Sequence, residues 1–363
     1  MNEMPGKHEK KLTGKIACAR PADRQAAEAC RRHWDSLAKP LDGLGRFEEI
    51  LVRLAGVQGS PDVKVRPAAA VVMCADHGVT CENVTQTDSS VTASVAKAIA
   101  EGRSTVNAMA DAAGMPVYAV DIGMYRHERI DGLTDCCVSR GTKDLLKEPA
   151  MSREDACRAI LEGIGMVERL SGEGYRILAA GEMGIGNTTA ASAVMTALSG
   201  LDSAEMTGRG AGLPDDLYAH KIEVVREAVR RNRPDREDPL DLLAKLGGFD
   251  MAGMTGMYIG GAVTGTLIVI DGFISAVSAL LAKSLCPLTA DYMAASHKGR
   301  EPASGILMDM LGEKPVLDAG MALGEATGAV MLLPLLDVAL ALYRNGEVFD
   351  EIRLEPYERF SSL

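Results

Sequence analysis

Aromatic side chains are scarce in this 363-residue chain, with five Phe, one Trp and eight Tyr, 4% in all. No aromatic cage for a ligand is evident in so small a set. Basic excess is also lacking: the formal net charge is −11 and the isoelectric point is near 5.2. That excludes nucleic acid or an anionic membrane as the main partner, because both require a basic face. It leaves room for a small anion held by backbone N–H groups and one or two cations. Long apolar runs are missing. The most apolar late stretch, residues 328–342, is interrupted by Pro334 and Asp337 and falls short of the ~18 residues a membrane span needs, so it reads as a buried helix. The opening MNEMPGKHEKKLTGKI has no apolar segment of the kind that directs secretion. The eight cysteines form no C-x-x-C pair and have no His at zinc-finger spacing. They read as free thiols in a reducing cytoplasm. There is no G-x-x-x-x-G-K-[ST] for nucleoside triphosphate. No G-x-G-x-x-G follows the first strand with an acid some 20 residues on, which argues against a dinucleotide oxidoreductase.

What is present is an ordinary globular balance, 47% apolar and 25% charged. The length suits about two domains, or one large domain with an appendage. Residues 1–20 look like a loose tail. A charged helical pattern runs from Pro21 to Arg53, broken by the Pro and Gly of Lys39-Pro-Leu-Asp-Gly-Leu-Gly45. Short apolar runs separated by helical spacers follow: Ala68–Cys74, Val117–Val120, Ile177–Ala180, Leu267–Ile270, a weaker Leu288–Ala295, and Val316–Leu317. Six such runs predict an α/β fold, a parallel six-stranded sheet flanked by helices in the Rossmann-like manner. Most runs end in glycine or a polar residue, and ligands of open α/β sheets sit beyond the strands' carboxyl ends. Asp76, His77, Glu182, Asp271, Ser296 and Asp318 are therefore candidates for one crevice, each with the alternative of being a turn or cap residue. His8, His33, His127, His220 and His297 have no identifiable partner and are expected to be structural.

Four stretches carry chemistry. In GEMGIGNTT (181–189), Gly184 and Gly186 permit exposed N–H groups, and Asn187, Thr188 and Thr189 open a helix whose N-terminus suits a phosphate. Glu182 in the same stretch would repel a phosphate placed too close, so it must face another part of the ligand. GRGAGLPDD (208–216), with Lys221 after it, offers a flexible loop beside a cation. Residues 247–265 hold seven glycines; the four-residue spacings of Gly256 to Gly260 and Gly261 to Gly265 suggest close helix packing. In VLDAGMALGEATGA (316–329), Glu325 lies in a nearly uncharged setting. Burial there would raise its pKa toward the range of a general base; the alternative is a helix-capping Glu.

These motifs, together with LAKPLDGLGRFEEI, CADHGVT, RGTKDLLKEPAMSREDACRAI, IDGFISAVSALLA, AASHKGREP and LGEATGAVMLLPLL, occur in order between about residues 37 and 336. Together they resemble the nicotinate-nucleotide–dimethylbenzimidazole phosphoribosyltransferase family, which activates the lower ligand of cobamides. The resemblance implies a large α/β phosphoribosyltransferase domain (61–325) and a small helical domain built from residues 21–60 and 326–363. It implies transfer of the phosphoribosyl group of nicotinate mononucleotide to an aromatic base, with inversion and without metal or other cofactor, by a cytoplasmic dimer. By matching motifs, Glu325 is the general base and Glu182 its catalytic companion. Gly184, Ile185, Gly186, Asn187, Thr188, Thr189, Gly210 and Lys221 surround the nucleotide. Thr85, Ser89, Ser94, Met183 and Leu323 border the acceptor pocket. One segment departs from the family pattern: where members commonly carry Tyr-Pro and, further on, Gln, this chain has Thr87-Asp88 and Ser94. The acceptor is therefore open: 5,6-dimethylbenzimidazole first, then a substituted benzimidazole, adenine or a phenol. A subunit of a heteromeric phenol or p-cresol transferase, or a non-catalytic homologous subunit, stands as the alternative.

Overall fold

Alanine and β-branched residues dominate the strands, and their alternating side chains serve two cores at once. In β1 (Ala68–Ala75), Ala69, Val71, Met73 and Ala75 face one helical layer, while Ala68, Ala70, Val72 and Cys74 face the other. A strand buried on both faces reads as a continuous apolar run, as expected of a parallel sheet. The computed structural model describes residues 6–125 and 130–359; His127 lies outside them. The remaining strands are β2 (Val117–Gly123), β3 (Leu133–Asp135), β4 (Ile177–Met183), β5 (Leu267–Ile270) and β6 (Met293–Ala295). All pair in parallel, in the order β3-β2-β1-β4-β5-β6. The chain thus runs outward from β1 in one direction and from β4 in the other. The cleft beyond the ends of β1 and β4 is the topological switch point where ligands bind in such sheets.

The helices are α1 (Lys7–Ile16), α2 (Arg24–Ser36), α3 (Arg46–Gln58), α4 (Ser90–Ala100), α5 (Thr105–Ala112), α6 (Arg153–Gly172), α7 (Asn187–Ser199), α8 (Ser203–Met206), α9 (Asp215–Asn232), α10 (Pro239–Leu246), α11 (Phe249–Thr264), α12 (Phe273–Leu285), α13 (Ser304–Leu311) and α14 (Thr327–Asn345). One sheet face packs against α6, α7 and α9 to α13, the other against α3, α4, α5 and α14, with α2 behind α3. The N-terminal α2 and α3 and the C-terminal α14 share a single core with that second face. The expected glycine packing is realised where α11 crosses α6. A Cβ on Gly256 would lie 2.0 Å from the Ile160 carbonyl oxygen, and one on Gly163 would lie 1.9 Å from that of Gly253.

Four expectations need correction. Six strands form, but Val316–Leu317 is not among them. It makes one isolated bridge to His297, because two apolar residues between Pro315 and Asp318 are too few to extend the ladder. The sixth strand is the unforeseen β3, whose three residues Leu-Thr-Asp carry no apolar run. Of Leu288–Ala295 only the last three residues are strand, the rest being a 3-10 turn opened by Pro287. Residues 1–5 of the expected loose tail lie outside the described residues, and residues 6–20 are not loose. Residues 7–16 form α1, which buries Leu12 against the main core and ties its polar side to α6 through His8–Glu154, Arg153–Glu9 and Lys15–Glu168. Among the described residues α14 is the one helix long and apolar enough to cross a membrane. Its inner face is buried as expected, but its outer face is not: Met331, Leu335, Val338 and Leu342 are 46, 38, 71 and 37% exposed.

Candidate active site

A cavity of about 220 Å³ opens at the switch point. One wall is the 184–186 loop between β4 and α7 with the first two residues of that helix, 187 and 188. Gly186, in the left-handed region at φ 96°, is the N-cap of α7, and no side chain caps that helix. The Asn187 and Thr189 N–H groups turn to the Gly184 and Gly186 carbonyls, and the positive dipole end of the helix is set at the cavity wall. Beside it Lys221, on α9 and 1% exposed, donates from Nζ to Thr188 Oγ1 at 2.8 Å. Burial draws the Lys221 pKa down to about 8, partly offset by Glu301. Gly210 closes this end. Its φ is 54°, and a Cβ there would stand 3.1 Å from Thr188 Oγ1 and 3.5 Å from Lys221 Nζ. A cation, an uncapped helix end and glycine backbone converging on one pocket end are what an anionic phosphate requires.

Carboxylates line the other end. Glu182 sits near the end of β4, and burial, reinforced by the facing Asp250, pushes its pKa well above the usual range, against a hydrogen bond from Asn187. Glu325 also lines the cavity. Burial raises its pKa, the Val106 backbone N–H in the first turn of α5 lowers it, and the charge of Asp271 raises it. Glu325 Oε2 has no hydrogen-bond partner among the described residues. A half-buried carboxylate of raised basicity with one oxygen unpartnered suits proton abstraction. The backbone there is costly. Gly324, Glu325 and Ala326 follow one another at φ 85°, 57° and 69°, and a non-glycine residue held so costs on the order of 1–3 kcal/mol. The two carboxylate segments touch: a Cβ on Gly324 would lie 3.0 Å from Glu182 Oε1.

Beneath the loop lies a polar layer. Asn187 Nδ2 donates both to Glu182 and to Asp250 Oδ2 (3.2 Å). Asp250 Oδ1 lies 3.1 Å from His77 Nε2, and both side chains are fully buried. Gly184 makes room for the pair, since its Cβ would sit 3.2 Å from each. A second support is Thr92, whose Oγ1 accepts from the Ile185 N–H at 3.2 Å.

Of the residues named from sequence, Glu182, Met183, Gly184, Ile185, Gly186, Asn187, Thr188, Gly210, Lys221, Leu323, Glu325 and Thr85 all line this cavity. Thr189 does not; it lies buried one turn into α7. Ser89 and Ser94 are corrections. Ser89 is the first residue before α4, and Ser94 Oγ turns back to the Ser90 carbonyl at 3.0 Å. Helix α4 carries them away, and Gln86 and Thr87 line the pocket instead. Asp76, His77 and Ser296 lie outside the lining, as does the largely exposed Asp318, paired loosely with Lys298. His297, expected to be structural, does line the cavity, as do Arg209 and Glu301. Sequence reasoning misses Asp250 as a site residue; its one sequence signal is the Gly247-Gly248 pair before it, whose second member leaves space for His77.

The phosphoribosyltransferase family model matches residues 19–353. The chain is 41% identical over 335 residues to the nicotinate-nucleotide–dimethylbenzimidazole phosphoribosyltransferase of Acetivibrio thermocellus, covering 92% of this chain and 95% of that protein. The chain belongs to the nicotinate-nucleotide–dimethylbenzimidazole phosphoribosyltransferase family. The Escherichia coli member is 40% identical, with 90 and 91% covered. The crystal structure of CobT from Thermus thermophilus superposes with a TM-score of 0.86 at 37% identity, covering 91% of this chain and 99% of that one. The chain is thus a pentosyltransferase of the nicotinate-nucleotide–dimethylbenzimidazole phosphoribosyltransferase type, and the phenol-acting and non-catalytic alternatives find no support in these relatives.

Proposed function

We propose that this chain transfers the 5-phosphoribosyl group of nicotinate mononucleotide to 5,6-dimethylbenzimidazole or a close aromatic analogue, releasing nicotinate and the α-ribotide used in cobamide assembly. The observation that carries the reading is one cavity with an anion cradle at one end and two carboxylates of raised pKa at the other. Residues 184–188 and Lys221 hold the phosphate. The bond from C1′ to the pyridinium nitrogen breaks with its electron pair going to the ring, which leaves as neutral-ring nicotinate, so the leaving group carries its own activation. Glu182 faces the sugar, and the positive charge that develops there favours its ionised form, which in turn stabilises that charge. An acceptor nitrogen attacks C1′ from the opposite face and inverts it, and the acceptor's N–H proton passes to Glu325. Proton removal of this kind contributes ~10²–10⁴-fold. Thr85, Gln86, Thr87, Met183 and Leu323 border the acceptor end.

The outer stripe of α14 supports a homodimer. Met331, Leu335, Val338 and Leu342 repeat at helical spacing along one face, a pattern that seeks an identical partner across a two-fold axis. The eight unpaired cysteines suit a reducing cytoplasm. The reaction is tested by incubating the protein with nicotinate mononucleotide and 5,6-dimethylbenzimidazole and reading product masses. The α-ribotide and nicotinate should appear in equal amounts, and Glu325→Gln should lose at least ~10²-fold in rate while remaining folded. Turnover of that variant at the normal rate removes Glu325 from the mechanism. An acceptor panel with adenine and phenol decides which base is preferred.

A further inference from the structure

Glu325 is held on a backbone secured largely from outside its own segment. Helix α14 begins two residues later, and its N-cap Ala326 makes no side-chain cap. The first amides of a helix need acceptors, and here they come from 57 residues away in sequence. Asp271, at the end of β5 and 3% exposed, accepts from Gly328 N at 2.8 Å and Ala329 N at 3.1 Å through one oxygen, Oδ1. Thr327 closes the turn from within, its Oγ1 donating to the Gly324 carbonyl at 2.7 Å. Two glycines let the assembly seat. A Cβ on Gly181 would lie 2.4 Å from Ala326 N, and one on Gly328 would lie 2.0 Å from His297 Nδ1.

We propose that Asp271 is the positioning residue for the base: by capping α14 from the end of β5, it locks the left-handed 324–326 turn that presents Glu325 to the cavity. Asp271 also lines the cavity, as expected from its place at a strand end, but the part assigned to it is played through the backbone amides beyond the base. The anionic cap also complements the helix dipole. The sheet end that frames the cavity and the helix that follows the base are thereby joined at one carboxylate. This assignment rests on the reaction proposed above, and its test separates the two.

The test compares Asp271→Ala with Asp271→Asn, whose amide oxygen accepts the same two bonds. For Asp271→Ala we expect kcat to fall about a hundredfold, the penalty of a reacting group displaced by an ångström. KM for nicotinate mononucleotide should stay within about threefold, the mark of a loss confined to the transition state. Hydrogen exchange should accelerate at the 328 and 329 amides while the sheet stays protected. Asp271→Asn should recover kcat to within about tenfold of the parent and restore protection. If Asp271→Ala does not fold, Gly328→Ala, which drives a methyl into His297 and shifts the same amides, should show the same kcat loss. An Asn variant as slow as the Ala variant with exchange unchanged would overturn the proposal, placing the Asp271 charge on substrate. So would an Ala variant with parental kcat. If the unaltered protein shows no turnover, the proposed reaction fails, and the exchange of 328 and 329 still decides the cap.

Discussion

Replacing Lys221 with Met should make the free protein more stable at neutral pH and its stability less dependent on pH. The ammonium is buried, and its pKa falls from 10.5 to about 8. The unfolded chain binds that proton more tightly than the folded one, so between the two values the unfolded state carries more protons and stability rises with pH. At 1.36 kcal/mol per pKa unit, a difference of 2.5 units from those two values costs about 3 kcal/mol at pH 7. About 2 kcal/mol of that is regained by pH 9.5. A bound phosphate supplies the missing counter-charge, so the cost is incurred in the empty enzyme and relieved by donor. The assay is urea unfolding of parent and Lys221→Met from pH 7 to 9.5. The parent's stability minus the variant's should climb by about 2 kcal/mol, and inorganic phosphate should raise the parent's midpoint selectively. In parallel, kcat/KM of the parent should fall above pH 8 by about tenfold per unit. A stability difference that is flat with pH would show that Lys221 is not desolvated in the free protein, and the reasoning would fail.

Three further outcomes follow from the geometry. Glu325 acts as the free carboxylate and its pKa is raised by burial. The kcat profile should therefore fall on the acid side with a midpoint above the ordinary 4.5; a limb at or below that value counts against it. Gly256→Ala sets a methyl 2.0 Å from the Ile160 carbonyl, so α6 and α11 must part. Chemical unfolding should show a loss of about 3 kcal/mol or more, and a loss under about 1 kcal/mol would refute the close-packing account. Val338→Glu plants a charge mid-stripe on α14, and light scattering should report half the mass of the homodimer proposed for the parent; a variant of parental mass would count against pairing through this face.

The sheet was legible because its strands are apolar runs that stop at Gly, Asp or Ser, and the cradle because glycine, asparagine and threonine cluster between a strand and a helix. Legibility ended where structure depends on partners distant in sequence. Leu12 looks like a stray apolar residue in a charged segment until α6 supplies the surface that buries it. β3 forms because β2 offers an edge, its own three residues having little pattern. The place of Ser94 in a motif points it at the pocket, but helix periodicity turns it toward its own backbone. The Asp250–His77 pair and the Asp271 cap link residues 173 and 57 positions apart, distances across which no local pattern reports. The neutral surroundings of Glu325 mark it out, yet nothing in Leu-Gly-Glu-Ala-Thr announces three consecutive left-handed residues.

Helix α14 is 19 residues long, a rod of about 28 Å, with the turn that carries Glu325 at its head and bare leucine, valine and methionine along its outer flank. Whatever grips that flank also leans on the proton acceptor. In the homodimer proposed above, subunit pairing and turnover would be mechanically wired together, and dilution to single chains should be felt first as slower chemistry.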